Sequence, residues 1–155
     1  MSRQAKLLSA SLCMLGALTV GAAEDGFSSA EGATGGGDLL LAAIRVNTPE
    51  AVFDVLERLD ALASGAGDFP RHEPVVMILH GDEALAFTRA EYGVYKAAVD
   101  RAARLDAFGL LDVRICETWM RAKGVVRGDL PPFVDTVPDG VVEERRLEAE
   151  GYVRF

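Results

Sequence analysis

Short apolar runs alternate with amphipathic helical segments along most of this 155-residue chain. The clearest apolar run, from Val75 to Leu79, reads Val-Val-Met-Ile-Leu and is typical of a strand that is covered on both faces. Strands that alternate with helices require crossover connections and therefore pair in parallel. The alternation predicts an α/β domain with a doubly wound, mostly parallel sheet of about five strands and helices on both faces.

The element boundaries are predicted from periodicity, caps and glycine positions. The first helix is expected to follow Thr48 as its N-cap and to end at the Ser-Gly-Ala-Gly run 64–67. An acidic turn is expected at 82–88, and the Glu/Arg-rich face of the last helix is interpreted as solvated surface. Strands are predicted at 39–46, 75–79, 110–115, 133–137 and 152–155, and further helices at 92–108, 118–123 and 138–150.

The N-terminus has the pattern of a secretory signal peptide. Arg3 and Lys6 precede an uncharged apolar stretch of about 14 to 17 residues, which is short of the ~20 that a membrane-spanning helix needs. Small residues follow, so we expect cleavage after Ala23 and a periplasmic protein without stable membrane insertion. An uncleaved membrane anchor is the alternative. Residues 24–37, rich in Gly, Ser and acids, are interpreted as a flexible spacer, and 38–155 as the domain.

Charge and cysteine content exclude several classes of function. The formal net charge is -8, and no Lys/Arg cluster is present to neutralise phosphates, so nucleic acids and anionic membrane surfaces are not expected as partners. Of the two cysteines, Cys13 lies in the predicted signal peptide. Cys116 would therefore be the single thiol of an exported protein, either buried and inert, paired between chains, or reactive.

Ligands of doubly wound sheets bind beyond the carboxyl ends of the strands, and Asn47, His80 and Cys116 end three of the predicted strands. Amides at the start of the following helix favour the thiolate of Cys116, whereas the neighbouring Glu117 opposes it. His80 is a candidate base or hydrogen-bond partner, at a turn that Gly81 would permit. The alternatives are that Cys116 is a small buried core residue and that the backbone satisfies His80.

The sequence gives no support for a metal or a cofactor. A metal site needs three or four converging ligands, whereas only His80 and Cys116 are expected at the same edge, because His72 precedes its strand. No Gly-x-Ser-x-Gly elbow, Walker lysine or Gly-x-Gly-x-x-Gly motif follows a predicted strand. Serine-hydrolase, P-loop and dinucleotide-binding functions therefore have no motif to support them.

Several short segments between Val75 and the C-terminus form a recognisable pattern. They are Leu79-His80-Gly81, Ala107-Phe108-Gly109, Val113 to Met120, Lys123-Gly124-Val125, Asp129-Leu130, Val137 to Val141 and Glu150-Gly151-Tyr152. In these segments the sequence resembles the exported single-domain members of the DsrE/DsrF-like family. With the first strand and helix, the resemblance covers about 118 of the 155 residues. The Cys-Glu-x-Thr order typical of the family is altered here, since Thr118 directly follows Glu117.

The resemblance implies an α/β fold that assembles into homotrimers or hexamers, and a cysteine that carries persulfide sulfur. In this chain that cysteine would be Cys116, which a solvent-exposed rim position would make reactive, with a sulfur donor or acceptor protein as partner. We predict Cys116 and His80 as reactive residues and Asn47, Gly81, Glu117 and Thr118 as substrate-binding residues.

Two other functions stay open at this stage. One is an oligomeric module that binds a small ligand or a protein and in which Cys116 is structural, and the other is an interchain disulfide through Cys116. Trp119, Tyr152 and Phe155 are candidate interface anchors.

Overall fold

The strands of this chain form one sheet in which all neighbouring strands are parallel. A computed structural model describes residues 39–65 and 73–154. The strands are β1 (Leu40–Ala42), β2 (Val75–Leu79), β3 (Leu111–Cys116), β4 (Asp135–Val137) and β5 (Val153–Arg154). The α-helices are α1 (Ala51–Gly65), α2 (Tyr92–Ala107), α3 (Glu117–Lys123) and α4 (Gly140–Ala149). The predicted five-stranded α/β fold is confirmed.

The strand order is β4-β3-β2-β1-β5, which places β2 at the centre of the sheet. All five residues of β2 are buried, as expected for a strand with helices on both of its faces. The connections from β1 to β4 advance in one direction, and α4 then carries the chain from β4 at one edge to β5 at the other. This reversal of direction places α4 on the opposite face from α1 and α2.

The two faces of the sheet are covered differently. Side chains of α1, α2 and α3 form the main core with Met77, Leu79, Val113 and Ile115 of the central strands. On the other face, which we call the α4 face, the apolar cluster consists of Leu41, Val76, Ile78, Val137 and Leu147, with Tyr152 packed against it. The buried positions of α4 are only Gly140 and Leu147, so charged side chains make much of its contact with the sheet.

Several elements differ from their predicted extents or types. The apolar run 39–46 pairs with β2 only around Leu41 and Ala42, and the chain then leaves the sheet, so that residues 45–47 are exposed. The predicted strand 133–137 is likewise reduced to β4. The predicted acidic turn is a 3-10 helix, Asp82–Phe87, whose inner side is buried. A second 3-10 helix, Arg127–Asp129, precedes β4.

Trp119 is 7% exposed and packs within the main core, so the prediction of an interface anchor at this position is wrong. No helix within residues 39–65 and 73–154 combines the length and apolarity that a membrane crossing requires. The predicted signal peptide (1–23) and spacer (24–37), His72 and Phe155 lie outside the described residues.

Candidate functional site

His80 and Cys116 lie side by side at the carboxyl edge of the sheet. Leu79 of β2 is in register with Ile115 of β3. The residues that follow them, His80 and Cys116, are therefore also neighbours. Gly140, the first residue of α4, packs against both. A Cβ atom built on Gly140 would lie 2.7 Å from Cβ of His80 and 3.3 Å from Cβ of Cys116. The predicted pair is therefore brought together, underneath the first turn of α4.

Cys116 is buried, with 5% of its surface exposed, and it contacts the main core. The expectation that its sulfur lies at a solvent-exposed rim is wrong, because the first turn of α4 covers this strand end. Cys116 occupies the N-cap position of α3 and also lies against the N-terminal end of the ten-residue α4. The peptide amides at a helix N-terminus carry partial positive charge, so Cys116 lies close to the positive ends of two helices.

The imidazole of His80 forms an ion pair with Glu144 of α4, with 3.5 Å between Nε2 and Oε1. This contact raises the pKa of His80, and the charges of Glu83 and Cys116 act in the same direction, whereas burial opposes the rise. His80 in turn lowers the pKa of Glu144, to which Arg154 of β5 also contributes through a 2.8 Å contact with Oε2. The pair therefore favours a cationic imidazole next to Cys116.

A buried carboxylate fixes the turn after β2. Glu83 is 1% exposed, and its Oε1 accepts hydrogen bonds from the backbone amides of His80 (2.8 Å) and Gly81 (2.7 Å). Its Oε2 is buried and has no hydrogen-bond partner among the described residues. Glu83 thus fixes the backbone conformation at His80 and so the position of its side chain.

Gly81 is required for close packing and not for a special backbone conformation. Its φ of -125° is accessible to any residue, which differs from the turn that we expected glycine to permit. A Cβ at this position would lie 2.6 Å from Oε2 of Glu83 and 2.9 Å from the side chain of Asn47. Asn47, which follows β1, therefore belongs to the same edge of the sheet as His80 and Cys116.

The other two predicted binding residues make contacts within the fold. Glu117 accepts a hydrogen bond from the hydroxyl of Thr136 in β4 (3.1 Å). Thr118 is not the N-cap of α3 but its second residue, and its hydroxyl donates to the carbonyl oxygen of Pro138 (3.0 Å). Both side chains thus hold β4 and the connection to α4 in place next to the site.

Sequence reasoning missed Glu144, Glu83 and Gly140. The interpretation of the charged face of α4 as solvated surface is wrong for two of its residues, since Glu143 pairs with Arg114 of β3 (2.6 Å) and Glu144 with His80. The alternation of Asp112 and Arg114 along β3 was an available signal, because it places charge on one face of a central strand and so requires charged partners on the covering helix.

Within residues 39–65 and 73–154, no cluster of three or more His, Cys, Asp or Glu side chains is arranged to hold a metal ion. What the described edge offers is a thiol, an adjacent imidazole and two carboxylates that act on that imidazole. This combination is suited to nucleophilic sulfur chemistry.

Comparisons with known proteins bear on the fold alone. No protein-family model and no curated protein matches this sequence at a significant level. Among solved structures, the chain is similar to the protein of unknown function MTH1491 from Methanobacterium thermoautotrophicum, with a TM-score of 0.62 and 18% sequence identity. The similarity covers 76% of this chain and 97% of the other. It indicates a shared α/β architecture and assigns no activity.

Proposed function

We propose that this chain is a periplasmic sulfur-handling protein of DsrE/DsrF-like type that carries sulfane sulfur as a persulfide on Cys116. The observation that supports this function best is the contact between the ends of β2 and β3, where Cys116 lies beside His80. A thiolate is the nucleophilic form of cysteine, and a neighbouring cationic imidazole stabilises it. The N-terminal end of α4, where peptide amides carry partial positive charge, lies against the same cysteine.

The proposed reaction is transfer of one sulfur atom from a donor persulfide. The Cys116 thiolate attacks the outer sulfur of the donor, a bond forms between Sγ and that sulfur, and the sulfur–sulfur bond of the donor breaks. The donor leaves as a thiolate and takes up a proton, for which His80 is the nearby source. The reverse reaction passes the sulfur to an acceptor thiol, and neither direction requires an external oxidant.

Access to the sulfur is part of the proposal. Because Cys116 is 5% exposed and Gly140 packs against it, a donor reaches Sγ only when the first turn of α4 moves away from β3. The donor or acceptor is a protein partner or a small persulfide. Further copies of the chain, as a trimer or hexamer, are proposed as the other partners, and light scattering at micromolar concentration tests this assembly, which a monomer would contradict.

Mass spectrometry tests the sulfur-carrier function. Folded protein is incubated with glutathione persulfide, and we expect an increment of about 32 Da, one sulfur atom, on the peptide that contains Cys116. Dithiothreitol should remove the increment, and Cys116→Ser should abolish it. Circular dichroism of the treated sample confirms that the protein is still folded. Absence of the adduct on folded wild-type protein would overturn the proposal.

The burial of Cys116 favours one alternative, an oligomeric binding module in which the cysteine is structural. Maleimide labelling separates the two functions. Labelling within minutes at neutral pH excludes the structural cysteine, whereas labelling that begins only in denaturant supports it. The same burial disfavours an interchain disulfide through Cys116. A dimer on a non-reducing gel that is absent in Cys116→Ser would support such a disulfide.

A further inference from the structure

Glu144 connects α4 to two different strands through its two carboxylate oxygens. Oε1 lies 3.5 Å from Nε2 of His80, which follows β2, and Oε2 lies 2.8 Å from the guanidinium of Arg154 in β5. The side chain is only 14% exposed, so its position is fixed by these contacts and not by solvent. A carboxylate held in this way restricts both the orientation and the charge of the imidazole.

The titratable groups that act directly on the pKa of His80 come from three elements. Glu144 approaches from α4, Glu83 from the 3-10 helix Asp82–Phe87, and Cys116 from β3. Arg154 of β5 acts on His80 through its contact with Glu144. Of these groups, Glu144 is the one that forms an ion pair with the ring itself, whereas Oε1 of Glu83 contacts the backbone amide of His80.

We propose that Glu144 is a positioning residue for the chemistry of Cys116: it binds Nε2 of His80 and so keeps a cationic imidazole next to the thiol, with Nδ1 as the ring atom that exchanges a proton. This inference rests on the proposed sulfur-carrier function. In this proposal Cys116 is the reacting residue and His80 stabilises its thiolate. Glu144 positions His80 and touches neither the donor nor the transferred sulfur.

The residue one helical turn later provides a matched control. Glu148 also lies on α4 and contacts the same Arg154, at 2.5 Å, but it has no ion pair with His80. Glu144→Gln and Glu148→Gln each remove one negative charge and one ion pair to β5. A difference between the two variants therefore reports the contact with the imidazole and not a general weakening of α4.

The experiment has two readouts, neither of which needs a sulfur donor. The first is an NMR titration of the two histidines, His72 and His80, assigned with His80→Gln. Removal of the carboxylate should lower the pKa of His80 in Glu144→Gln, because that contact is the main cause of its rise. Glu148→Gln should leave the titration of His80 unchanged, and Glu144→Asp should restore part of the rise.

The second readout is the rate of Cys116 alkylation by iodoacetamide as a function of pH. The ratio of the rate at pH 6.5 to that at pH 9 reports thiolate formation, and the rate at pH 9 reports how often α4 exposes the sulfur. Glu144→Gln should lower the ratio about three- to tenfold, while Glu148→Gln keeps the wild-type ratio.

An unchanged titration of His80 in Glu144→Gln, or equal effects of Glu144→Gln and Glu148→Gln on the rate ratio, would overturn the role of Glu144. These outcomes are distinguishable from failure of the sulfur-carrier function itself. That failure would show as wild-type protein with the expected titration and alkylation profile that gains no sulfur from glutathione persulfide.

Discussion

Gly140 lies so close to His80 that no side chain fits between them: a Cβ at position 140 would come within 2.7 Å of Cβ of His80. The same position would be 3.2 Å from a methyl group of Ile78. The backbone of α4 thus rests directly on the end of β2. Because the other buried residue of α4 is Leu147, this close contact and the ion pairs of Glu143 and Glu144 determine where the helix sits on the sheet.

Gly140→Ala should destabilise the protein by about 1–3 kcal/mol, since the added methyl group forces α4 away from the strand ends. The free energy of unfolding in urea measures the effect. Gly93→Ala is the matched control, because Gly93 is also helical and a Cβ there meets no atom of the described residues within 4 Å. Equal stability of Gly140→Ala and wild-type protein would show that the helix is not seated as described.

The charged contact between α4 and β3 should also contribute to stability. Arg114 donates to Glu143 of α4 (2.6 Å) and to Asp112 of its own strand (3.0 and 2.6 Å), and its side chain is 21% exposed. Arg114→Gln removes the ion pair with Asp112 and leaves Glu143 with Arg146 as its cation, so the link between α4 and β3 is lost, which should cost about 1–3 kcal/mol of unfolding free energy.

The control for Arg114→Gln is Lys96→Gln, which removes an exposed ion pair with Asp100 on α2 and should change stability little. Urea unfolding with a common m-value compares the two variants. An equal loss of unfolding free energy in the two variants would contradict a larger contribution from the partly buried ion pairs on the α4 face.

The fold could be predicted from the sequence because its central strands carry strong local signals. The buried run Val75–Leu79 and the helix that ends before Gly109 agree closely with β2 and α2. Gly109 and Gly124 end helices at positive φ, which follows from their lack of a Cβ. The extents of β1 and β4 were less predictable, because they are limited by which residues pair with the neighbouring strands and not by apolar content.

The site was predictable only in part. Strand ends of a parallel sheet meet at one edge, which is why Asn47, His80 and Cys116 could be grouped from the sequence. The cover over Cys116 depends on where α4 crosses the sheet, and the order β4-β3-β2-β1-β5 that decides this is a tertiary property. For the same reason Glu144 could not be assigned to His80 before the crossing of α4 was known.

The His80–Glu144 pair predicts a stability that depends on pH in both directions. The pKa of His80 is raised above its ordinary value of 6.5, so its contribution is complete below about 6.5 and is lost as pH rises through the pKa of the folded state. The pKa of Glu144 is lowered from its ordinary value of 4.5, so its contribution is complete above that value and is lost as pH falls through the lowered pKa.

The pair should therefore stabilise the protein most between about pH 4.5 and 6.5. A double-mutant cycle with His80→Gln and Glu144→Gln should give a coupling energy of about 0.5–1 kcal/mol at pH 5.5 and a value near zero at pH 9. A coupling energy that does not change between the two pH values would contradict an ion pair with a cationic imidazole.

The turn after β2 should depend on the buried carboxylate of Glu83. In Glu83→Ala the partly buried amides of His80 and Gly81 lose an acceptor side chain that is itself 1% exposed, and we expect a loss of about 2–4 kcal/mol. Glu83→Gln keeps an acceptor oxygen for both amides and should lose clearly less. The neighbouring Asp82, which is exposed and pairs with Lys123, provides the control Asp82→Ala, which should have little effect.

Urea unfolding ranks these three variants, and hydrogen exchange of the His80 and Gly81 amides locates the effect. Faster exchange of these two amides in Glu83→Ala, with the amides of β3 unchanged, is expected because the lost acceptor is local to the turn. Since the same turn carries His80, Glu83→Ala should also displace the imidazole from Glu144 and lower the pKa of His80 toward its ordinary value. If Glu83→Ala is destabilised but its His80 and Gly81 amides exchange at the wild-type rate, Glu83 supports the core and not the turn.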